Sequence, residues 1–461
     1  MNITPKRELI GNEAMVILDT VRRLNRRNAV DHLLKLVNKT HPADLASIFR
    51  HLPAEERRNV FNIIAQTPIV GEFLSELDQA IMIDLVEALT PQYMVSIIKE
   101  MDRDDAADIL EALPESVANE IRKGMAKSDR EEVDELLQYD PDTAGGLMSP
   151  DFMALDDEMS VGDAIKKIQE YSEEKEMSFY LYITHGDEAR LSGVLSLREL
   201  LMHPPYRQLK NIMNPRAIAV TTETDRGEVA HVVSKYNFLA VPVVDSAYRL
   251  VGIVTVDDII DVIREEATEE FLQMAGAGKD QEILLKPVMK NALIRAPWLF
   301  ATWLGGIVNI LIITSFQAEL QQVLALAAFI PIIAGMGGNI ATQSSTIVVR
   351  GIATGRINMN ALGKLIFKEM RVGLLLGAVY GLFLGIVAYL GYLDTPRLGL
   401  VVGCAILFSM SLAATVGTLV PLVFRRLDID AAIATGPFVT TTIDILGVTV
   451  YFFVAKLFLN L

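Results

Sequence analysis

The stretch GPFVTTTIDILG at residues 436–447 decides the architecture of the chain. It lies in an apolar run at about 433–458, which is long enough to cross a bilayer. Asp444 falls near the middle of this run, where a carboxylate costs about 2.5–3.5 kcal/mol on insertion scales, so we expect it to face protein or water. Pro437 has no amide hydrogen, so we expect the carbonyl of Ile433 to be left free.

The same stretch carries hard oxygen ligands at a helical spacing. On a helix, Gly436, Thr440 and Asp444 share one stripe because they are four residues apart. Carbonyl, hydroxyl and carboxylate oxygens suit Mg²⁺ or Ca²⁺ rather than a soft metal, which predicts a cation path. The alternative is a structural carboxylate paired with a Lys or Arg of a neighbouring helix, and the other apolar runs offer almost no such partner.

Composition divides the chain into two halves. Hydrophobic residues make up 51% of it, and the net charge is −16. Residues 287–461 carry 11 Lys and Arg against 6 Asp and Glu, while the remaining residues carry 31 against 52. An acidic half disfavours nucleic acid and allows divalent cations as partners. The lone Cys404 excludes a disulfide framework, and no apolar core follows Met1, so we expect no signal peptide and a cytosolic acidic half.

Residues 1–130 are predicted to be all-α and superhelical. Apolar residues recur at intervals of three and four, and prolines separate short helices. HPADLASIFRHLP at 41–53 is echoed by DRDDAADILEALP at 102–114, as in stacked helical repeats. The acids between 102 and 108 need not bind a metal ion. They can instead be the solvated start of a helix, where acids cap the helix and favour its dipole.

Residues 145–266 contain two copies of one α/β pattern. LMSP at 147–150 is echoed by IMNP at 212–215, and SGVLSLRELL at 192–201 by VGIVTVDDII at 251–260. This arrangement resembles a tandem pair of cystathionine-β-synthase-type (CBS) modules, which act as regulatory sensors.

Some CBS pairs bind adenine nucleotides, and the resemblance implies a weak nucleotide site. The residues that would hold ATP or a similar ligand are Phe238, Thr255 and Asp258. The first copy has Ser196 and Glu199 at the places of Thr255 and Asp258, which disfavours a second such site.

An acidic connecting helix and linker is predicted at 258–295. One helical face gathers six acids, opposite an apolar face. They are Asp258, Asp261, Glu265, Glu266, Glu269 and Glu270. Their i, i+4 pairs repel by a few tenths of a kcal/mol each, so either solvation or bound cations must offset the repulsion.

A five-helix transmembrane domain is predicted at 296–461. The apolar runs lie at about 296–316, 323–349, 369–391, 398–424 and 433–458. Basic residues concentrate in the loops 350–368 and 425–432, which by the positive-inside rule places the N-terminal half in the cytosol and the C-terminus outside.

The second run contains GGNIATQS at 337–344, which is unusually polar for membrane depth. Asn339 and Gln343 lie four apart on one face, which favours a water-filled path or a bundle interior. Interhelical hydrogen bonding, worth about 0.6 kcal/mol each, is the alternative for Ser344 and Ser345.

With these motifs in hand, the chain resembles the MgtE family of magnesium channels, most specifically at 337–344 and 435–447. The resemblance covers almost the whole length and implies a homodimer in a bilayer, with a pore on the two-fold axis. It implies that Asp444 lines the pore with Asn339 and Gly436 nearby.

The resemblance also implies cytosolic Mg²⁺ sites. Residue by residue, they map onto Asp104, Asp108, Asp225, Asp258, Asp261, Glu266, Glu269 and Asp430. Asn237 stands where the family has an acid, and Ala341 and Thr342 replace Gly and Asn in the second-helix motif.

We therefore expect a Mg²⁺-selective import channel of the cell membrane that cytosolic Mg²⁺ closes. The alternatives are a carrier of Mg²⁺, Co²⁺ or Mn²⁺ coupled to H⁺ or Na⁺, and a nucleotide sensor that transports nothing. An enzyme is not expected, because residues 287–461 contain no His, no HExxH and no Ser–base pair.

Overall fold

A computed structural model describes residues 6–171, 180–186, 188–280, 283, 286–354, 356–357, 362–427 and 429–459. The chain divides into two compact units, Met1–Arg264 and Glu265–Leu461.

The first unit begins with short helices, as predicted. Their bounds are α1 Lys6–Arg26, α2 Val30–Val37, α3 Pro42–Phe49, α4 Ala54–Ile64, α5 Val70–Ser75, α6 Gln79–Val86, α7 Pro91–Ile98, α8 Arg103–Ala112, α9 Glu115–Gly124, α10 Lys127–Leu136 and α11 Ala144–Leu147. Prolines open helices rather than interrupt them, since Pro42 and Pro91 occupy first helical positions, where no amide is needed. Phe73 packs on Phe49 and Phe61 in the core, with centroids 4.7 and 6.3 Å away.

Two small α/β modules follow. The first contains β1 Ala154–Asp156, α12 Val161–Tyr171, β2 Tyr180–His185, β3 Arg190–Ser196 and α13 Leu197–Met202. The second contains β4 Val220–Thr221, α14 Arg226–Tyr236, β5 Ala240–Val244 and β6 Leu250–Thr255. Their sheets have the orders β1-β2-β3 and β4-β5-β6, each with one parallel and one antiparallel pair. The sequence echo is therefore a structural repeat.

The α/β modules lead into α15, Val256–Met274, and then into the remaining helices, of which all but the short α17 are apolar. These are α16 Val288–Ser315, α17 Gln317–Gln322, α18 Leu326–Ala353, α19 Leu362–Gly391, α20 Arg397–Arg426 and α21 Pro437–Leu459. In the part of the chain that the structure describes, five helices are long and apolar enough to cross a membrane: α16, α18, α19, α20 and α21. The predicted number of membrane helices is thus confirmed.

Two membrane helices begin earlier than their apolar runs. Helix α16 starts at Val288 rather than at 296, and α19 starts at Leu362 rather than at 369. The extra turns are polar or amphipathic and hence invisible to an apolar window, although helix propensity carries them on.

Small residues let α19 and α20 approach closely. A methyl group on Gly381 would lie 2.5 Å from the carbonyl oxygen of Gly403, so only glycine fits there. Such backbone contact is the usual means by which membrane helices associate, because lipid supplies no hydrophobic drive.

Candidate functional site: an oxygen-lined membrane motif and acidic clusters

The residues before Asp444 form a turn and then a helix. A 3₁₀ turn spans Ala431–Ala434, and α21 begins at Pro437. Pro437 therefore opens α21 rather than interrupting a helix, and a proline at a first helical position removes no helical hydrogen bond.

Gly436 directly precedes α21 and keeps the predicted i, i+4 relation to Thr440. Its carbonyl accepts the amide of Thr440 at 3.3 Å and the hydroxyl of Thr440 at 3.3 Å. The oxygen of Gly436 is thus occupied, while Thr440 and Asp444 remain one turn apart on α21.

The two membrane motifs adjoin at Gly338. A methyl group placed there would lie 4.0 Å from Oδ1 of Asp444 and 4.0 Å from Cγ2 of Thr440. Asn339, the next residue, is exposed in this chain, and Asp444 is half-buried. No ion pair joins Asp444 to a Lys or Arg among the described residues, so the geometry does not support the structural ion-pair alternative.

The two departures from the family motif fall outside this contact. Ala341 is fully buried, and its backbone packs against Gly417 of α20. Thr342 donates its hydroxyl to the carbonyl of Gly338 at 2.9 Å, within its own helix.

Ser344 and Ser345 form hydrogen bonds to other elements of the membrane unit, which was the alternative to a place on the cation path. Ser344 donates to Glu369 and Ser345 to Thr435, each at 3.1 Å.

Sequence reasoning missed a polar residue on α16. The Oδ1 atom of Asn309 is buried without a hydrogen-bond partner, as are the hydroxyl oxygens of Ser409 and Thr441. A single Asn in the first apolar run was the available signal, and its significance depends on neighbours that the sequence does not specify.

In the first unit, acids of α8 meet the start of α15. Burial first, and the repulsion of neighbouring carboxylates with it, raises the pKa of Asp105, Asp108 and Asp258 to about 7. Burial likewise raises the pKa of Asp104 to about 6, and its Oδ1 has no hydrogen-bond partner. Asp108 keeps an exposed side chain, yet protein atoms crowd its carboxylate enough for desolvation to dominate. A solvated helix start does not account for these shifts.

Three further acids lie beside or outside this cluster. Asp225 caps α14, accepting the amides of Gly227 and Glu228 at 2.9 and 3.3 Å. Asp261 pairs with Arg264 at 3.1 Å. Burial, and then the charge of Asp261, raises the pKa of Glu76, a residue that the sequence analysis did not select.

In the second unit, acids gather where α15 ends. Glu266 and Asp430 both raise the pKa of Glu270, after burial as the main cause, while Arg350 opposes them from 3.6 Å. Glu270 was not among the predicted site residues, although it lies on the predicted acidic face. Glu269 is half-buried on the same helix.

Asp430 opens the 3₁₀ turn before α21, accepting the amide of Ala432 at 2.9 Å. Its carboxylate lies 3.9 Å from Nζ of Lys279.

The described residues contain no group of three or more His, Cys, Asp or Glu side chains arranged to hold a metal ion. Mg²⁺ keeps several of its waters and needs only one or two carboxylates, so the acid pairs and the unpartnered oxygen of Asp104 still fit that ion.

The residues selected for a nucleotide have local structural partners. Thr255 donates to Asp258 at 2.6 Å, and Phe238 stacks on Tyr236 at 5.5 Å. Ser196 and Glu199 form a capping box at the equivalent place in the first module. Asn237 ends α14 in a left-handed conformation, with φ of 53°, a position that favours Asn over an acid.

Models of known families match most of the chain. The family model described as MgtE, a divalent cation transporter, matches residues 330–454. The MgtE intracellular N domain matches 40–142, and the CBS domain matches 144–205 and 209–265.

Relatives and a solved structure agree with these matches. The magnesium transporter MgtE of Bacillus subtilis is 32% identical over 95% of this chain and 96% of its own length. That of Thermus thermophilus is 38% identical over 72% and 73%, and that of Enterococcus faecalis 37% over 91% and 92%. A crystal structure of the cytosolic domain of the Mg²⁺ channel MgtE in complex with ATP, 32% identical, covers 53% of this chain and 99% of that one, with a TM-score of 0.50. The chain belongs to the MgtE family of magnesium transporters.

Proposed function

We propose that the chain forms a Mg²⁺-selective channel that imports magnesium across the cell membrane. The observation that carries this proposal is the approach of Gly338 to Asp444, which joins the two polar membrane motifs beside the exposed Asn339. A carboxylate with nearby hydroxyl and amide oxygens attracts a dication, and it can do so through the ion's retained water.

The channel is proposed to be a homodimer. One carboxylate neutralises half of a dication, whereas two facing copies of Asp444 neutralise it fully. Gly335, Asn339 and Gln343 are exposed on one face of α18 in the single chain. This polar face must be shielded from lipid. A second copy across a water-filled axis would supply that cover. In this arrangement the N-terminal domains lie in the cytosol and the C-terminus outside, as the basic loops favour.

Cytosolic Mg²⁺ is proposed to close the channel. Burial first, and neighbouring carboxylates after it, raise the pKa values of Asp105, Asp108 and Asp258, which supports repulsion between the acids of α8 and α15 when no cation is bound. A bound cation removes that repulsion, and an ion that binds one state more tightly shifts the population toward it.

The second unit provides a route from α15 to the pore motif. A methyl group on Gly436 would lie 2.5 Å from the carbonyl oxygen of Met274 at the end of α15. A change in the position of α15 would therefore reach the residue from which α21 starts.

A nucleotide site in the second CBS module is proposed as well. The related cytosolic domain was crystallised in complex with ATP. Thr255 and Asp258 lie together at the start of α15, where a hydroxyl and a carboxylate can hold a ribose.

Replacing Asp444 tests the pore. We expect Asp444→Asn to lower Mg²⁺ uptake into proteoliposomes by more than about tenfold, because the amide keeps the shape and removes the charge. Asp394→Asn, in the loop between α19 and α20, is the matched control and should conduct normally. Undiminished uptake by Asp444→Asn would reject the pore assignment. Currents through single molecules separate a channel from a coupled carrier.

Neutralising the sensor tests closure. We expect the combination Asp258→Asn, Asp261→Asn, Glu266→Gln and Glu269→Gln to keep conducting at internal Mg²⁺ concentrations that close the unaltered protein. The control neutralises four exposed acids elsewhere: Asp31→Asn, Asp44→Asn, Glu55→Gln and Glu87→Gln. If the first variant still closes like the control, these acids are not the sensor.

Acid pKa values above the ordinary range predict a pH dependence. The folded state binds protons more tightly than the unfolded chain, so the stability gained by protonation is complete at low pH and is lost as pH rises to about 7. Without Mg²⁺, resistance to thermal proteolysis should fall between about pH 4 and pH 7, and Mg²⁺ should restore it most at the upper end. The combined change Asp105→Asn, Asp108→Asn and Asp258→Asn should flatten the profile, whereas Glu115→Gln should leave it unchanged. A flat profile in the unaltered protein contradicts the account.

Calorimetry with ATP tests the nucleotide site. Thr255→Val removes the hydroxyl and should weaken ATP binding by about tenfold. Ser196→Ala, at the equivalent place in the first module, should not. Equal ATP affinity in both variants would show that ATP does not bind at Thr255.

A further inference from the structure

One buried carboxyl group in the membrane unit has no part in the proposed path. Glu369 lies on α19 with only 6% of its surface exposed, and Ser344 of α18 donates a hydrogen bond to its Oε2 at 3.1 Å. Ser344 itself is 2% exposed. A carboxyl group at such a place is costly, and a polar partner is the minimum that it requires.

The neighbouring cations do not neutralise Glu369. Lys368 is exposed, and the guanidinium of Arg371 lies 4.9 Å from the ring centroid of Phe367. Within the described ranges, Glu369 takes part in no ion pair. The bond from Ser344 is therefore the specific contact that ties this carboxyl group to α18.

The adjacent serine holds α18 to a different element. Ser345 is fully buried and donates to Oγ1 of Thr435 at 3.1 Å, and Thr435 is fully buried too. Thr435 directly precedes Gly436, at the start of the stretch that leads to Asp444. Two consecutive side chains of α18 thus bind α19 on one side and the base of α21 on the other.

Helical geometry relates these two bonds to Asn339. At about 100° per residue, Ser344 and Ser345 point about 100° apart, and Asn339 points about 120–140° away from either. The two serines therefore hold two sides of α18, and the third side carries the exposed Gly335, Asn339 and Gln343. A rotation of α18 about its axis would break one or both of these hydrogen bonds, and it would also change the direction in which Asn339 points.

We propose that Glu369 is a positioning residue for the cation path, acting through Ser344. Together with the Ser345–Thr435 bond, it fixes the rotation of α18 that turns Gly338 toward Asp444 and leaves Asn339 on the exposed face. This inference rests on the proposed pore. The charge of Glu369 has no role in it, because any acceptor of the Ser344 hydroxyl group at that place would serve.

Ion selectivity is the first test. The ratio of Mg²⁺ to Mn²⁺ uptake into proteoliposomes depends on the relative placement of Asn339 and Asp444, whereas a loss of folded protein lowers both rates equally. We expect Ser344→Ala and Glu369→Leu to change the ratio by at least about threefold, the factor that one average interhelical hydrogen bond represents. Glu369→Gln keeps an acceptor and should retain the ratio.

Ser411→Ala is the matched control for selectivity. Ser411 of α20 donates to the backbone carbonyl of Met370 on α19 at 3.4 Å, so its removal breaks a comparable bond without involving α18. An unchanged ratio in Ser344→Ala and Glu369→Leu overturns the proposal, and so does a Glu369→Gln protein that shifts as far as Glu369→Leu. Ser344→Ala removes a single oxygen and keeps the test open if Glu369→Leu does not fold.

Thiol labelling separates this inference from the pore itself. In a Cys404→Ala background, Gly335→Cys has room for its side chain, whereas Ile340→Cys stands where the native side chain is 3% exposed. A hydrophilic maleimide should label the first position much faster than the second, and adding Ser344→Ala should reduce that difference by at least about threefold. A difference that Ser344→Ala leaves intact rejects the positioning role alone. Equal labelling before that change rejects the water-filled path, and the positioning role with it.

Discussion

The carboxylate of Asp444 in a membrane-spanning helix is the constraint on which the rest of the unit depends. It has no ion-pair partner among the described residues, so its cost must be offset by water, by polar neighbours or by a passing cation. Gly338 leaves space beside the carboxylate, because even a methyl group there would lie 4.0 Å from Asp444 and from Thr440. In the proposed channel, selectivity for a hydrated dication would follow from charge and width rather than from a tight cage.

The acidic clusters outside the membrane segments carry the same cost as Asp444, because their carboxylates are also removed from water. Burial first, and the charge of Asp104 among the causes that follow, raises the pKa of Asp105, Asp108 and Asp258, yet these acids do not converge as a multidentate cage. Loose acid pairs of this kind favour weak binding that responds to concentration, which is what a sensor requires. Helix α15 contributes residues to both units, because the boundary between them falls after Arg264, between Asp258 in its first turn and Glu270 near its end. Binding energy in one unit therefore has a covalent route to the other.

Patterns along the chain predicted the large features, and contacts across it explain the rest. Local periodicity in the sequence predicts five apolar runs, the tandem module and the short N-terminal helices. The structure contains all three features. The sequence could not place Pro437 at the start of α21, because a proline that opens a helix and one that breaks it look alike without the preceding turn. Glu76 and Glu369 were missed because their importance depends on Asp261 and Ser344, which are distant in sequence. Asp225 was selected for a ligand and is also a helix cap.

Buried polar bonds in the membrane unit argue for specificity more than for stability. An interhelical hydrogen bond contributes about 0.6 kcal/mol on average, while glycine contacts such as that of Gly381 already bring the helices together. Glycine packing holds helices close but resists rotation weakly, because a smooth surface has no preferred angle. The bonds of Ser344 and Ser345 do have a preferred angle, and they leave only one face of α18 for Asn339. Polar groups retained at a cost in this way fix the rotation of a helix rather than add stability. A filter built from two motifs needs that fixed rotation, because both motifs must face the same path.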